Sequence, residues 1–348
     1  MERLNKRTLS ALLIFFLSAL MAGACFLIWQ EKKEADNAPP NISENTSINF
    51  QNSRKETVDI IMVGDIMLNR GVEYMINKEG KGNFKFPFLR IADDMKAADL
   101  LIGNLEGPVS DKGEKVGSIY SFRMNPESIN GLGYAGFNVL LLANNHAFDY
   151  GREALEDTLK RLKKAGMSYS GAGFDKNEAF SPLIKEIKGI KIGFLDYTNL
   201  GSNYWTAGEE SSGIAWISEN DIEEIKKDIE KAKQQADFLI VFLHAGDEYQ
   251  AEPSSFQISF AKVAIDSGAD LVVEHHPHVV QGSEEYKNKN IFYSLGNFIF
   301  DQGFSEETMS GQILKISLYN SSSTIRIKEI TALNTKMNEF FQPEIVNQ

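Results

Sequence analysis

Phe238-Leu-Ile-Val-Phe-Leu-His244 is an unbroken apolar run closed by a single histidine. Too short for a typical helix and rich in large aliphatic and aromatic side chains, it reads as a strand buried on both faces. The same design recurs four more times. Val139-Leu-Leu-Leu-Ala-Asn-Asn-His146 ends in imidazole, and Asp270-Leu-Val-Val-Glu274 runs into His275-His276-Pro277-His278. Ile60-Ile-Met-Val-Gly-Asp65 and Leu100-Leu-Ile-Gly-Asn-Leu-Glu106 end in carboxylates. All five histidines of the 348-residue chain therefore lie at the ends of buried runs. In sheets with both faces covered, ligands collect at strand ends. Five such ends imply one polar site, of a kind that binds metal.

Between these runs lie helical patterns. Residues 68–77, 151–165, 221–235 and 256–267 read as helices; in the second, Leu155, Leu159 and Leu162 share one face. Residues 58–64, 100–103, 139–143, 191–197, 238–243 and 271–274 read as strands. Beyond residue 290 the pattern turns β-rich, with strands at 291–294, 298–300, 312–319 and 324–331. A β/α portion followed by a β-rich end predicts sheets packed on each other with helices outside. The globular domain is placed at 57–335 and a C-terminal tail at 336–348.

Composition narrows the function. A net charge of −12 argues against nucleic acid as a partner, which demands a basic footprint. Cys25 is the only cysteine, so no intrachain disulfide and no thiolate metal site can form. Arg3, Lys6 and Arg7 precede an apolar run over residues 11–29, broken only by Ser18 and Gly23. That run suits a single transmembrane anchor, and the basic residues before it favour a cytoplasmic tail at 1–10. Residues 30–56, polar and containing Pro39-Pro40, read as a flexible linker to an extracellular domain. Ala22-Gly-Ala24 and Ala22-Gly-Ala-Cys25 keep a cleaved secreted form and a lipoprotein as alternatives.

Each candidate ligand also has an ordinary structural explanation. An Asn pair favours turns, Asp65 would serve as a helix cap, and a lone strand-end histidine is most often a satisfied core residue. The metal reading rests on the set. His276 and His278, separated by Pro277, would lie on one side of an extended segment. Asp149, three residues after His146, is placed to orient it and raise its basicity. Arg70 and Arg123 are the cations suited to gripping a carboxylate or phosphate of a substrate.

Six segments carry a more specific resemblance: Val63-Gly-Asp-Ile-Met-Leu-Asn-Arg70, Asn104-Leu-Glu-Gly-Pro108, Ala143-Asn-Asn-His-Ala-Phe-Asp-Tyr-Gly151, His244-Ala-Gly-Asp-Glu-Tyr249, His275-His-Pro-His-Val-Val-Gln281 and Tyr293-Ser-Leu-Gly-Asn-Phe298. Together they resemble the CapA family, also called PgsA, of bacterial poly-γ-glutamate capsule synthesis proteins. That family is distantly similar to calcineurin-like metallophosphoesterases. The resemblance implies an α/β fold, a four-layer α/β/β/α sandwich, and a divalent metal (Mn, Fe or Zn). It implies Asp65, Glu106, Asn145, His244, His276 and His278 as metal ligands and His146 as general acid. His275 is left as a bystander.

The implied partners are poly-γ-glutamate or another anionic surface polymer, the membrane, and further subunits of a capsule synthase complex. A metal-dependent phosphoesterase or amide hydrolase acting on another surface substrate, and a non-catalytic scaffold, stay open as alternatives. Two departures stand out. Met67 occupies a position where phosphoesterases carry histidine, and Asn104-Leu-Glu106 stands where they carry Gly-Asp.

Overall fold

The structure, a computed structural model, describes residues 57–116, 119–322 and 324–346. The expected anchor at 11–29, the linker at 30–56 and Cys25 lie outside these residues. No described helix is long and apolar enough to cross a membrane.

In chain order the first strands are β1 (Val58–Ile66), β2 (Leu100–Leu105), β3 (Val139–Leu141), β4 (Ser168–Ser170), β5 (Ala172–Gly173), β6 (Leu183–Ile187), β7 (Ile190–Thr198) and β8 (Gly213–Ile214). They continue with β9 (Phe238–His244), β10 (Leu271–His275), β11 (Ser283–Tyr286), β12 (Lys289–Phe292), β13 (Asn297–Ile299), β14 (Ser310–Ser321), β15 (Thr324–Met337) and β16 (Pro343–Ile345). The helices are α1 (Arg70–Lys78), α2 (Ala92–Met95), α3 (Ser128–Ala135), α4 (Gly151–Lys164), α5 (Lys176–Phe180), α6 (Ile222–Gln235) and α7 (Ser255–Asp266).

One sheet runs β16-β15-β14-β1-β2-β3-β4, with β13 added beside the end of β1; a second runs β11-β12-β10-β9-β7-β6. Within them β1 to β4 are parallel, as are β7, β9, β10 and β12. Three apolar cores separate four layers. Ile60, Met62 and Ile102 from the first sheet meet Phe194, Ile240, Phe242 and Val273 from the second in the central core. The alternate residues of the same strands face outward. Ile61, Val63 and Leu101 pack with α1, α3 and α4, while Leu239, Val241 and Val272 pack with α6 and α7. Double-sided burial explains the unbroken apolar runs, since neither side of these strands meets water.

Parity along the strands decides what reaches the space between the sheets. On β9, Phe238, Ile240 and Phe242 face inward, so His244 does too. On β10 the same alternation brings His275 inward after Leu271 and Val273.

Two expectations are corrected. The sheet continues past 335: β15 runs to Met337, and Thr335–Met337 pair with Pro343–Ile345, so residues 336–337 and 343–345 of the expected tail are sheet. The His-x-His segment is not extended, because β10 stops at His275 and both His276 (φ 103°) and His278 (φ 58°) have left-handed backbone. Two such residues flanking a proline cost roughly 1–3 kcal/mol each, a strain that collects at functional sites.

Candidate metal centre

Gly64 sets the position of the first carboxylate. Val63 pairs with Gly103 and Asp65 with Asn104, so Gly64 is an extra residue, a bulge. Unbroken alternation would have sent Asp65 with Ile61 and Val63 toward the helices. The bulge turns it to the space between the sheets, where it is fully buried. Only glycine fits, because a Cβ on residue 64 would strike the carbonyl of Gly296.

Asp65 Oδ1 accepts a hydrogen bond from Asn104 Nδ2 at 2.8 Å, and Asp65 Oδ2 lies 3.3 Å from His278 Nδ1. Asn104 is the hub of the cluster. Its amide nitrogen also lies 3.3 Å from Glu106 Oε2 and 3.2 Å from His244 Nδ1, and its Oδ1 accepts from Asn144. The sequence placed Asn104 only as a companion of Glu106; the usable signal was an amide inside an apolar run, where an unsatisfied polar group is costly. His244 accepts at Nδ1 from Asn104, so its Nε2–H donates to Asn145 Oδ1 at 2.9 Å.

One oxygen of each carboxylate and one nitrogen of His244 lie within 4.8 Å of one another across Asp65, Glu106 and His244. His278 joins them, with Nε2 3.6 Å from Glu106 Oε1. The His276 ring stands 4.9 Å from that of His244 and 5.6 Å from that of His278. Two buried atoms, Glu106 Oε1 and His276 Nδ1, have no hydrogen-bond partner. Leaving such a group unsatisfied costs about 1–3 kcal/mol, more for a charge. A divalent cation coordinated there removes that cost, so the donor set fits a metal. Carboxylate oxygens with imidazole nitrogens suit Mn, Fe or Zn.

The electrostatics point the same way. Burial pushes Glu106 well above the ordinary carboxylate range, with Asp65 adding to the effect and the charge of His278 opposing it. Burial would raise Asp65 also, but the hydrogen bond and charge of His278 hold it below that range. Burial pushes His278 down, yet the Glu106 and Asp65 carboxylates win and raise it to about 9. His276, buried and beside His278, falls to about 3.

His146 lies on the rim. Its Nδ1–H donates to Asp149 Oδ2 at 2.7 Å, an oxygen that also accepts from Phe122 N at 2.7 Å. The hydrogen bond at Nδ1 leaves Nε2 facing the cluster, 3.7 Å from Glu106 Oε1. The imidazole lies against the Phe122 ring, with centroids 4.0 Å apart and planes tilted by 31°. Behind it, buried Asp196 accepts from Leu142 N and Ala143 N, both at 2.9 Å, and holds the turn that carries Asn145 and His146.

The structure thus brings Asp65, Glu106, Asn145, His146, Asp149, His244, His276 and His278 to one place. His275 instead donates to Val63 O at 3.2 Å and ties the two sheets together. The arginines have protein partners. Arg70 is bidentate with Asp301, at 3.0 and 2.7 Å, and lies over Phe122. Arg123 donates to Gly113 O at 3.2 Å and lies over the Tyr150 ring. Met67, in the place of the missing histidine, is fully buried against Phe122, Phe300 and Met337.

Two facing sheets with a buried carboxylate–imidazole cluster at their strand ends define an α/β protein with a site that could hold a metal ion. Residues 59–302 match the family model described as bacterial capsule synthesis protein PGA_cap, and the chain belongs to this family. Among its relatives is a capsule biosynthesis protein CapA of Bacillus anthracis, 33% identical over 302 residues, covering 85% of this chain and 70% of that one. A PGA biosynthesis protein CapA of Bacillus subtilis is 32% identical over 295 residues, covering 82% and 76%. Among solved structures, the calcineurin-like phosphoesterase YfkN from Bacillus subtilis aligns at 14% identity and TM-score 0.46, over 80% of this chain and 90% of that one.

Proposed function

We infer that this chain works in the synthesis of a poly-γ-glutamate-type surface capsule, and that its strand-end cluster binds a divalent metal and hydrolyses a bond in the polymer or its precursor. The observation that carries the reading is the pair of buried atoms without a hydrogen bond, Glu106 Oε1 and His276 Nδ1, beside Asp65 and His244. Asp65, Glu106, His244, His276 and His278 would hold the ion, with Asn145 at the edge. A divalent ion there supplies Lewis-acid polarisation of a carbonyl or phosphoryl oxygen. His146, oriented by Asp149, presents Nε2 to the same space and carries a proton to or from the reacting group. Asn104 and Asp196 keep the ligands in register. The capsule names of the Bacillus relatives support the polymer assignment. An anchor at residues 11–29 would put the domain on the outer face of the membrane, beside the other synthase subunits.

The test uses the full chain in neutral detergent. Calorimetric titration with Mn²⁺ or Zn²⁺ should show binding that His244→Ala weakens by about tenfold or more. His146→Ala should keep the metal and lose about a hundredfold or more in cleavage of poly-γ-glutamate. In cells, Asp65→Asn should abolish surface polymer. A wild-type protein that binds no metal and still supports normal polymer output sinks the hydrolase reading and leaves a scaffold.

A further inference from the structure

At the opposite pole from the metal centre, a cavity of about 840 Å³ opens between the two sheets. One wall is β15 from Thr324 to Ile330, seven consecutive residues, so the cavity is a groove that follows a strand for about 20 Å. The other wall is made by the start of β9, the start of β10 and the β11–β12 turn. The groove is distinct from the metal site. Phe238 lines it, and the seven residues of β9 carry the chain from there to His244, again about 20 Å.

Its chemistry departs from that of the rest of the chain. On a protein of net charge −12, the groove gathers five cations against three carboxylates. Lys233 and Lys289 share Asp270, and Lys287 pairs with Asp266. Arg326 and Lys328, both exposed, have no ion-pair partner among the described residues. Between the cations the lining is apolar, with Ile325, Ile327 and Ile330 continuous with the central core. β15 also offers peptide groups. β16 covers only Thr335–Met337, so from Thr324 onward the outer side of β15 has no strand beside it among the described residues.

Charged residues on an open edge also guard against aggregation. That accounts for charge at Arg326 and Lys328 but not for their place beside an apolar floor, opposite a wall where three lysines share only Asp270 and Asp266. Cations for carboxylates, unpaired peptide groups for amides and an apolar floor for methylenes match one ligand chemistry. We propose that this groove binds an extended polyanionic polyamide, a chain with a carboxylate on each amide-linked unit, as a guiding site separate from the metal centre. A groove that follows a strand receives such a chain lengthwise, as in strand addition at a sheet edge. A flat membrane surface would not enter it. The identity of the polymer rests on the functional reading above; the groove's ligand chemistry does not.

The experiment is fluorescence anisotropy of a labelled poly-γ-glutamate oligomer with the full chain in neutral detergent. Wild type should bind in a salt-sensitive way. The double variant Arg326→Glu/Lys328→Glu, at exposed positions, should bind about tenfold or more weakly with an unchanged melting temperature. Arg326→Gln/Lys328→Gln should show a smaller loss in the same direction, and Lys81→Glu, a charge reversal at an exposed position outside the groove, should bind as wild type. Undiminished binding in the double variant overturns the groove, and so does an equal loss in Lys81→Glu, which marks binding by overall surface charge; either outcome leaves the metal-centre reading standing. If phosphatidylglycerol vesicles bind in a manner the double variant abolishes while the oligomer does not bind, the groove is a lipid site and the proposal fails. Oligomer binding that needs Arg326 and Lys328 in a protein with no hydrolytic turnover supports the groove while removing the hydrolase.

Discussion

At residue 64 a single missing Cβ decides which side of a sheet Asp65 occupies. The bulge there is tight against Gly296, backbone against backbone, with no flexible side chain to yield. Gly64→Ala should therefore destabilise the domain by about 3 kcal/mol or more, a fall of roughly 6–12 °C in melting temperature. A thermal melt of the variant checks this, and an unchanged melting temperature would show that the strand can slide. The same position shows what could be read from sequence. Strand parity correctly puts His244 between the sheets, because β9 is regular. Parity fails at Asp65, where the bulge shifts it, and at His276 and His278, where positive φ replaces extended backbone. Residue types at strand ends announced a site; local departures from regularity, which no periodicity encodes, decide how the side chains converge.

Among the elements, α4 steadies the candidate metal site from the loop that follows Glu106. Its Thr158 Oγ1 accepts from Val109 N at 2.9 Å, and its Asp157 accepts from Ser110 Oγ and from Arg161 Nε, each at 2.7 Å. Val109 and Ser110 belong to the loop that leaves Glu106, so the helix fixes where that carboxylate sits. The helix itself was legible from the spacing of Leu155, Leu159 and Leu162. Its polar clamp was not, because Ser110 and Asp157 are 47 residues apart. Burial opposes ionisation of Asp157, but Arg161, Ser110 and Lys112 hold its pKa below the ordinary value. A depressed folded-state pKa means stability that is fully present above the unfolded value of about 3.9 and lost as pH falls through the lower folded value. Asp157→Asn should therefore cost about 1–2 kcal/mol at pH 7, and the gap to wild type should close below about pH 4. Chemical denaturation of both proteins across that range measures it; a gap that persists in acid would assign the loss to packing instead of charge.

Across the whole molecule, the aromatic floor of the site is assembled from distant parts of the chain. Phe122 lies under His146 at 4.0 Å, and Phe300 under His278 at 4.7 Å. Both pack with Met67 and Met337 in one small cluster. Met67 thus fills, as core, the place where the family resemblance led one to look for a ligand. Met337 comes from the end of β15, which is held by β16 and by Gln342, whose Nε2 donates to Phe86 O at 2.6 Å. No sequence pattern links residues 67, 122, 300 and 337, so the tail assigned to 336–348 concealed a structural part. Its removal makes a sharp test. Ending the chain after Thr335 deletes the buried Met337 and uncovers Phe122 and Phe300, which should cost about 2–5 kcal/mol. It should also weaken metal binding by about tenfold, because His146 and His278 lose the surface that fixes their rings. Met337→Ala separates the two effects: it keeps β16 while opening the cavity, so it should reproduce the loss of metal affinity with a smaller fall in melting temperature. Metal titration and thermal melting of both variants read the two quantities independently. If both retain wild-type affinity, the cluster supports the fold alone, and the imidazoles are held by Asp149 and Asn297 through their Nδ1 hydrogen bonds.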